Sequence, residues 1–271
     1  MLALRFSTYP DPRQPGTLHY LHAGGRNDYE KAISAIVSIL SKYDSDQKFP
    51  VLGFGAKYGG VVRHCFQCGP SQEAVGVQGV LDAYHQVFQS GLIMSGPTVF
   101  TEVIETAAAR ASSALENAQR RGQQAYTILL ILTDGAVSDV QATAACLDRV
   151  STSPLSVVIV GVGGADFSSM QFLDDSAKPG KRDIAQFVPF NRHSQSSVSL
   201  TQETLHEIPD QLVGFFQSRG IAPLPPIQRT DSSIFAEDED EEIDLTLDIQ
   251  EDEIVVTGGG VGFVDGFNAG R

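Results

Sequence analysis

The stretch TILLILTDG, residues 127–135, limits the folds open to this chain more than any other part of the sequence. Its unbroken apolar run, with no alternation, indicates a strand buried on both faces, as in a parallel sheet covered by helices. A buried helix is the competing interpretation, but Asp134 and Gly135 end the run too early for a core helix. The residues that follow, from Ser138 to Leu147, have the spacing of a helix.

Strands and helices alternate along the rest of the chain. Short apolar segments predict further strands at residues 50–56, 61–66, 155–163 and 184–190. Apolar residues at three- and four-residue spacing predict helices at residues 28–40, 72–89, 101–121 and 200–219, with a short one from Asp166. This alternation predicts an α/β fold: a doubly wound, Rossmann-like, mainly parallel six-stranded sheet with helices on both faces.

Charge is concentrated at the C-terminal end of the chain. The formal net charge is −14, and 13 of the 33 acidic residues lie from Asp231 onward, where Arg271 is the only base. We expect residues 1–227 to form one domain and residues 228–271 to form a disordered acidic tail, because its acidic block AEDEDEEIDLTLDIQEDE has too little apolar surface to pack. The nearly neutral body offers no basic face, so we expect no nucleic-acid partner.

The cysteines and the apolar runs bear on location. The three cysteines, with an N-terminus unlike a signal peptide, predict reduced thiols in the cytoplasm. No apolar run approaches the ~18 residues that a membrane-spanning helix needs. His64, Cys65 and Cys68 have a spacing seen among metal ligands, but no second pair lies near enough in sequence to complete a four-ligand zinc site.

Motifs for catalysis are missing from the sequence. GFGAKYG (53–59) and GVGGAD (161–166) have neither GxGxxG nor GK[ST], so we interpret both as turns after strands. No motif pairs a nucleophile with a base, and we predict that the chain is not an enzyme. A doubly wound hydrolase is an alternative that would need a nucleophile at a strand end, where Asp134 is the one candidate.

Thr98 and Asp134 are the candidate site residues. Thr98 lies in a loop before a helix and Asp134 ends a strand, and ligands of open α/β sheets bind beyond the carboxyl ends of the strands. Hydroxyl and carboxylate oxygens are hard ligands suited to Mg²⁺, Mn²⁺ or Ca²⁺. A turn or a helix cap is the alternative role for Asp134.

Eight segments in order resemble the C-terminal von Willebrand A-type domain of the copine family. They cover about residues 2–226 and are LHYLHAGGRNDYEKAI, YDSDQKFPVLGFGAK, GVLDAYH, GPTVF, LLILTDGAVSD, LSVVIVGVGGADF, RDIAQFVPF and EIPDQLVGFFQSRGIAPLPP. The ordered series, above all YDSD followed by FPVLGFGA, and the EIPDQLV segment are specific to this family.

The resemblance implies a non-enzymatic protein-binding module of copine type. Copines bind phospholipid in a calcium-dependent way, move to the plasma membrane when calcium rises, and recruit protein partners through this domain. We expect partners at the crevice of the A domain, a cytoplasmic or plasma-membrane-associated location, and phospholipid binding only through upstream modules that this chain lacks. An A-domain scaffold related to RING-type ubiquitin ligases is an alternative, but no Cys follows Cys146 and no His follows His206.

The resemblance also implies a metal-ion-dependent adhesion site with three parts. Thr98 and Asp134 match two of them, the loop Thr and the Asp after a central strand. In the first part, Ser7 stands for one hydroxyl, but Arg5 stands where the family has Asp, and Tyr9 replaces the second hydroxyl. We therefore expect divalent-cation binding to be weak or absent.

Arg5 has two interpretations. The first and central strands are neighbours in this fold, so the guanidinium can pair with the Asp134 carboxylate in place of a cation. Alternatively, residues 1–6 form a frayed strand and Arg5 points to solvent.

Overall fold

Eleven strands and eight helices form in the part of the chain that the computed structural model describes, which is residues 1–6, 15–22, 24–44, 46–58, 60–94, 96–135, 137–174 and 177–225. The strands are β1 (Leu2–Arg5), β2 (Lys48–Phe49), β3 (Val51–Phe54), β4 (Ala56–Tyr58), β5 (Val61–Arg63), β6 (Phe66–Gln67), β7 (Ala74–Val75), β8 (Ile93–Met94), β9 (Thr127–Thr133), β10 (Leu155–Gly161) and β11 (Ala185–Pro189). The helices are α1 (Asp28–Ser41), α2 (Gly76–Gln89), α3 (Thr101–Gln119), α4 (Val140–Val150), α5 (Ser168–Asp174), α6 (Phe190–His193), α7 (Ser197–Leu205) and α8 (Ile208–Gln217).

The central sheet has six strands in the order β11-β10-β9-β1-β3-β6. The first five are parallel to their neighbours, and the edge strand β6 runs antiparallel to β3. The predicted mainly parallel six-stranded sheet is thereby confirmed. The strand β1 lies between β3 and β9, so the carboxyl ends of β1 and β9 are adjacent.

Helices cover both faces of the sheet, and β9 shows why its sequence does not alternate. Leu130 and Leu132 pack into a core formed with α1, α2 and α7. Leu129 and Ile131 pack into a second core formed with α3, α4 and α5. Because successive side chains of a strand point to opposite faces, a strand with two buried faces needs apolar residues at every position.

Two predicted helices have different bounds in the structure. The segment 72–89 becomes helical only at Gly76, because Ala74–Val75 pairs with Lys48–Phe49 as a short antiparallel strand. The segment 200–219 is two helices, α7 and α8, with a break at His206 and Glu207. Pro209 starts a new helix there, since its ring lacks an N–H and clashes with a preceding helical turn.

The predicted strand at residues 61–66 is also divided. Val61–Arg63 joins a small antiparallel sheet in the order β5-β4-β8, and Phe66–Gln67 forms the edge of the central sheet. This small sheet leads directly into the loop that carries Thr98, because β8 ends at Met94.

The expected boundary of the domain, with a tail at residues 228–271, lies outside the described residues. The described residues contain no helix that combines the length and the apolar character needed to span a bilayer.

Candidate functional site

Arg5 and Asp134 meet at the carboxyl ends of β1 and β9. The parallel register pairs Leu4 with Leu132, which places the residues just beyond them side by side. Arg5 Nη1 donates a hydrogen bond to Asp134 Oδ1, and the two side chains form an ion pair. The Arg5 side chain is 13% exposed and the Asp134 side chain 1%. The predicted pairing is therefore confirmed, and the solvent-facing alternative for Arg5 is wrong.

The ion pair with Arg5 stabilises the negative charge of Asp134, which burial disfavours. Burial raises the pKa of the Asp134 carboxyl above its usual range, and the positive charge of Arg5 opposes this effect. Tyr29, also fully buried, has a pKa raised by burial and then by the negative charge of Asp134, so its phenol stays protonated. A buried carboxylate of this kind is costly without a positive partner, which Arg5 supplies.

Thr98 is held on the same edge of the sheet as Asp134. The Ser138 amide donates a hydrogen bond of 2.8 Å to the Thr98 carbonyl, and the Thr98 amide donates one of 2.8 Å to the Ser138 hydroxyl. Ser138 follows Asp134 by four residues, so these two bonds fasten the Thr98 loop to the loop after β9. Ser7 and Tyr9, the other residues of the predicted adhesion site, lie outside the described residues.

The described residues fit a divalent cation poorly. The carboxylate that would bind the ion, Asp134, already accepts a hydrogen bond from Arg5. A Cβ added at Gly135 would collide with Arg5 Nη1, which shows that the guanidinium lies directly against the backbone of the loop. Across the described ranges, no group of three or more His, Cys, Asp or Glu is placed to hold a metal ion.

A buried polar cluster lies behind the ion pair. His19 Nδ1 is 2.8 Å from the Tyr84 hydroxyl, and Asn27 Nδ2 donates to the same hydroxyl at 3.2 Å. The His19 ring stacks on Tyr29 with centroids 3.9 Å apart. Burial, and then the charge of Arg5, lower the pKa of His19 to about 3, so the ring stays neutral. Sequence reasoning missed this cluster, because His19 and Tyr84 are 65 residues apart and no spacing links them.

The structure also places the other candidates from the sequence. Cys65 and Cys68 are free thiols, and burial raises the pKa of the Cys68 thiol well above its usual range. Cys65 Sγ lies 3.5 Å from the Thr106 hydroxyl. In the two glycine-rich segments, Gly55 and Gly163 have φ of 74° and 86°, as expected of the turn glycines that we inferred.

A row of three exposed side chains crosses the small sheet beside the loop that carries Thr98. Lys57 pairs with Val62 on one side and with Ile93 on the other, so the three side chains share one face of the small sheet. All three are exposed, Val62 by 40% and Ile93 by 58%. A Cβ added at Gly96 would collide with Val62, which places this row, called the rim row below, against the loop that holds Thr98.

Comparison with known proteins finds one family model and several similar proteins that match most of this chain. The family model described as Copine matches residues 17–224. "Copine-C" of Dictyostelium discoideum is 46% identical over 222 residues, covering 77% of this chain and 40% of that protein. "Protein BONZAI 1" of Arabidopsis thaliana is 38% identical over 241 residues, covering 83% of this chain and 41% of that protein. The chain thus spans about two fifths of the length of these curated relatives.

Among solved structures, the manganese-loaded Plasmodium vivax TRAP protein aligns with a TM-score of 0.40 at 11% identity. The alignment covers 70% of this chain and 68% of that one. This likeness is too distant to support any conclusion about the site.

Proposed function

The chain belongs to the copine family, and from this premise we propose that it acts as a non-enzymatic module that binds a protein partner at the crevice and its rim. The observation that carries the proposal is the rim row, in which a basic side chain stands between two exposed apolar ones. Exposed apolar side chains on either side of a positive charge offer a partner both apolar contact and charge complementarity.

The composition of the rim row defines the partner's chemistry. Val62 and Ile93 favour apolar side chains, and Lys57 between them favours a carboxylate on the same partner segment. Arg63 is also exposed on β5, but it follows Val62 directly and so points to the opposite face of the small sheet, which leaves Lys57 as the charge of the rim row. We expect the partner to present an apolar segment that carries acidic residues.

The geometry of the crevice argues against hydrolysis. A hydrolase of this fold would use Asp134 as its nucleophile, but that side chain is 1% exposed and paired with Arg5. A carboxylate that is paired with a guanidinium and closed to solvent is poorly placed to attack a substrate. Binding, rather than catalysis, is the role that this arrangement supports.

Calcium-dependent attachment to phospholipid is proposed only for longer proteins that contain this domain. We place this module in the cytoplasm, where its three free cysteines stay reduced. A membrane-attached relative could recruit partners in the same compartment.

A site-specific photocrosslinker tests the proposed function. Val62 is replaced by benzoylphenylalanine in the full chain, and adducts are collected in a lysate of cells that express the protein. We expect a discrete adduct from Val62 that is lost when Lys57→Glu reverses the central charge. The matched control is Val213, which is 46% exposed on α8. Equal labelling from Val62 and Val213, or adducts insensitive to Lys57→Glu, would contradict the proposal.

A further inference from the structure

We propose that the guanidinium of Arg5 is the fixed cation of the crevice, so that the crevice holds no divalent metal and does not respond to calcium, magnesium or manganese. Arg5 occupies the position where the family has an acidic metal ligand. It forms an ion pair with Asp134, the one carboxylate of the predicted metal site that remains. A positive side chain thus stands where the adhesion site would need a negative one.

Charge is the first reason that a metal is excluded. A divalent cation on Asp134 would lie within a few ångströms of the guanidinium, and like charges at that separation repel strongly where solvent is scarce. The Asp134 side chain is 1% exposed, so water screens this repulsion very little. The cation could enter only after Arg5 had left the carboxylate.

Space is the second reason. The Arg5 guanidinium lies against Gly135, close enough that even a single methyl group there would collide with Nη1. On the side of α1, the rings of Tyr29 and His19 are stacked and fully enclosed. The volume above Asp134 is therefore already filled by the side chain that carries the charge.

The polar side chains of Tyr29 and His19 near the ion pair are neutral, so they bring no negative charge to replace the missing carboxylate. His19 Nδ1 is engaged with the Tyr84 hydroxyl. The Thr98 backbone is fixed by Ser138, and a lone hydroxyl with one carboxylate is a weak set for Mg²⁺ or Ca²⁺. Nothing among the described residues makes up for the acidic ligand that Arg5 replaces.

The consequence for regulation rests on the proposed function, because it concerns the partner bound at the crevice. Because the positive charge belongs to the Arg5 side chain, the charge of the crevice is the same at every calcium concentration. A partner bound there would stay bound in a chelator. Any calcium response of a longer protein would then arise outside this site.

Paramagnetic broadening of amide resonances by Mn²⁺ tests the proposal at the site itself. In the ¹⁵N-labelled full chain, substoichiometric Mn²⁺ should leave the amide peaks of Phe6, Thr98 and Gly135 at full intensity. Broadening confined to residues 231–271 would also support it, because those residues hold 13 carboxylates that can attract Mn²⁺ by themselves. Selective loss of the Phe6 and Gly135 peaks in the wild-type chain would overturn it.

Arg5→Asp tests whether Arg5 is the cause. This variant should lose the three crevice peaks on addition of Mn²⁺ and should melt at a higher temperature with Mn²⁺ than with chelator. The matched control is Arg149→Asp, which makes the same charge change at an exposed ion pair with Glu105 and should leave the crevice peaks unbroadened. If Arg5→Asp folds and still excludes Mn²⁺, the proposal is wrong.

The proposal can still be tested if Arg5→Asp fails to fold. If Arg5→Asp is unfolded in chelator and folds with Mn²⁺, the cation has taken over the role of Arg5, as proposed. If it is unfolded in both, the neutral variant Arg5→Asn takes its place, and failure of that folded variant to gain crevice broadening overturns the proposal. None of these measurements uses a partner, so their failure is distinct from failure of the crosslinking experiment.

Discussion

At the scale of single residues, the Arg5–Asp134 pair differs from the other ion pairs in its burial. Breaking a buried pair leaves an uncompensated charge, and this typically costs about 3–5 kcal/mol of stability. We expect Arg5→Ala to lower the free energy of unfolding by about that amount, measured by urea denaturation. Arg149→Ala breaks the exposed pair with Glu105 and should change stability little, since solvent screens it. Equal effects of the two substitutions would contradict this.

His19 makes stability depend on pH. Its pKa in the folded protein is about 3, against an ordinary value of 6.5, so below pH 6.5 the unfolded state binds a proton that the folded state does not. Stability should therefore fall as the pH drops from 6.5 towards 3, by about 1.4 kcal/mol per pH unit at most from this residue. Denaturation at several pH values should show a shallower slope for His19→Gln.

Two comparisons isolate the His19 effect. His22→Gln replaces an exposed histidine of the same segment and serves as the matched control for His19→Gln. Glu207 acts in the opposite sense: burial, with Asp174 and Asp183, raises its pKa to about 7, so its contribution is lost as the pH rises. Because Glu207 is present in both proteins, its contribution cancels when the slope of stability against pH is compared between the wild type and His19→Gln. An unchanged slope in His19→Gln would show that His19 is not the origin of the pH dependence.

At the scale of elements, the N-terminus of α1 ties the helix to the buried polar cluster. The Asn27 side chain accepts a hydrogen bond from the Glu30 amide at 2.8 Å, and Glu30 accepts one from the Asn27 amide at 2.6 Å, which together form a capping box. Asn27 is 3% exposed and also donates to Tyr84. The start of the helix is thus fixed to α2 as well as capped.

We expect Asn27→Ala to cost about 1–2 kcal/mol in the free energy of unfolding, near the upper end of the range for helix caps. The cap of α4, where Asp139 accepts from the Ala142 amide at 2.8 Å, is exposed, and the Asp139 side chain makes no such tertiary bond to another described residue. Asp139→Ala should therefore cost less, about 1 kcal/mol or below. Chemical denaturation of both variants decides the order, and a larger loss for Asp139→Ala would contradict our interpretation.

The elements also show what the sequence could predict and what it could not. The central strand and its neighbours were predictable because burial on two faces leaves an unbroken apolar run, as in β9. The small sheets were not, because β4, β5 and β8 have only two or three residues each, too few to carry a periodic signal. Gly53 illustrates the same limit: its side of β3 is occupied by the Phe66 ring, a contact that no local pattern encodes.

The site was predictable to a similar extent. Thr98 and Asp134 follow from strand ends and from the resemblance, and the meeting of Arg5 with Asp134 follows from the order of strands in the fold. The polar cluster around His19 depends on packing between three distant segments, so only the structure reveals it.

At the scale of the whole molecule, the separation of charge suggests that the acidic segment serves solubility rather than folding. Without residues 228–271 the chain has 20 acidic residues against 17 Lys and Arg, a formal net charge of −3 in place of −14. The removed segment holds 13 of the 33 acidic residues and two arginines, so its main contribution to the whole chain is negative charge. A net charge near zero favours association, because repulsion between molecules is lost.

We therefore expect the 1–227 chain to melt at the temperature of the full chain but to precipitate at a lower concentration of polyethylene glycol. A full-length variant whose acidic residues at 237–253 are changed to Asn and Gln keeps the length and loses the charge, and it should precipitate like the truncated chain. If instead it stays as soluble as the wild type, length rather than charge keeps the molecules apart. A drop of several degrees in the melting temperature of the 1–227 chain would show that residues 228–271 pack on the domain, because lost packing lowers the melting temperature in proportion to the stability lost.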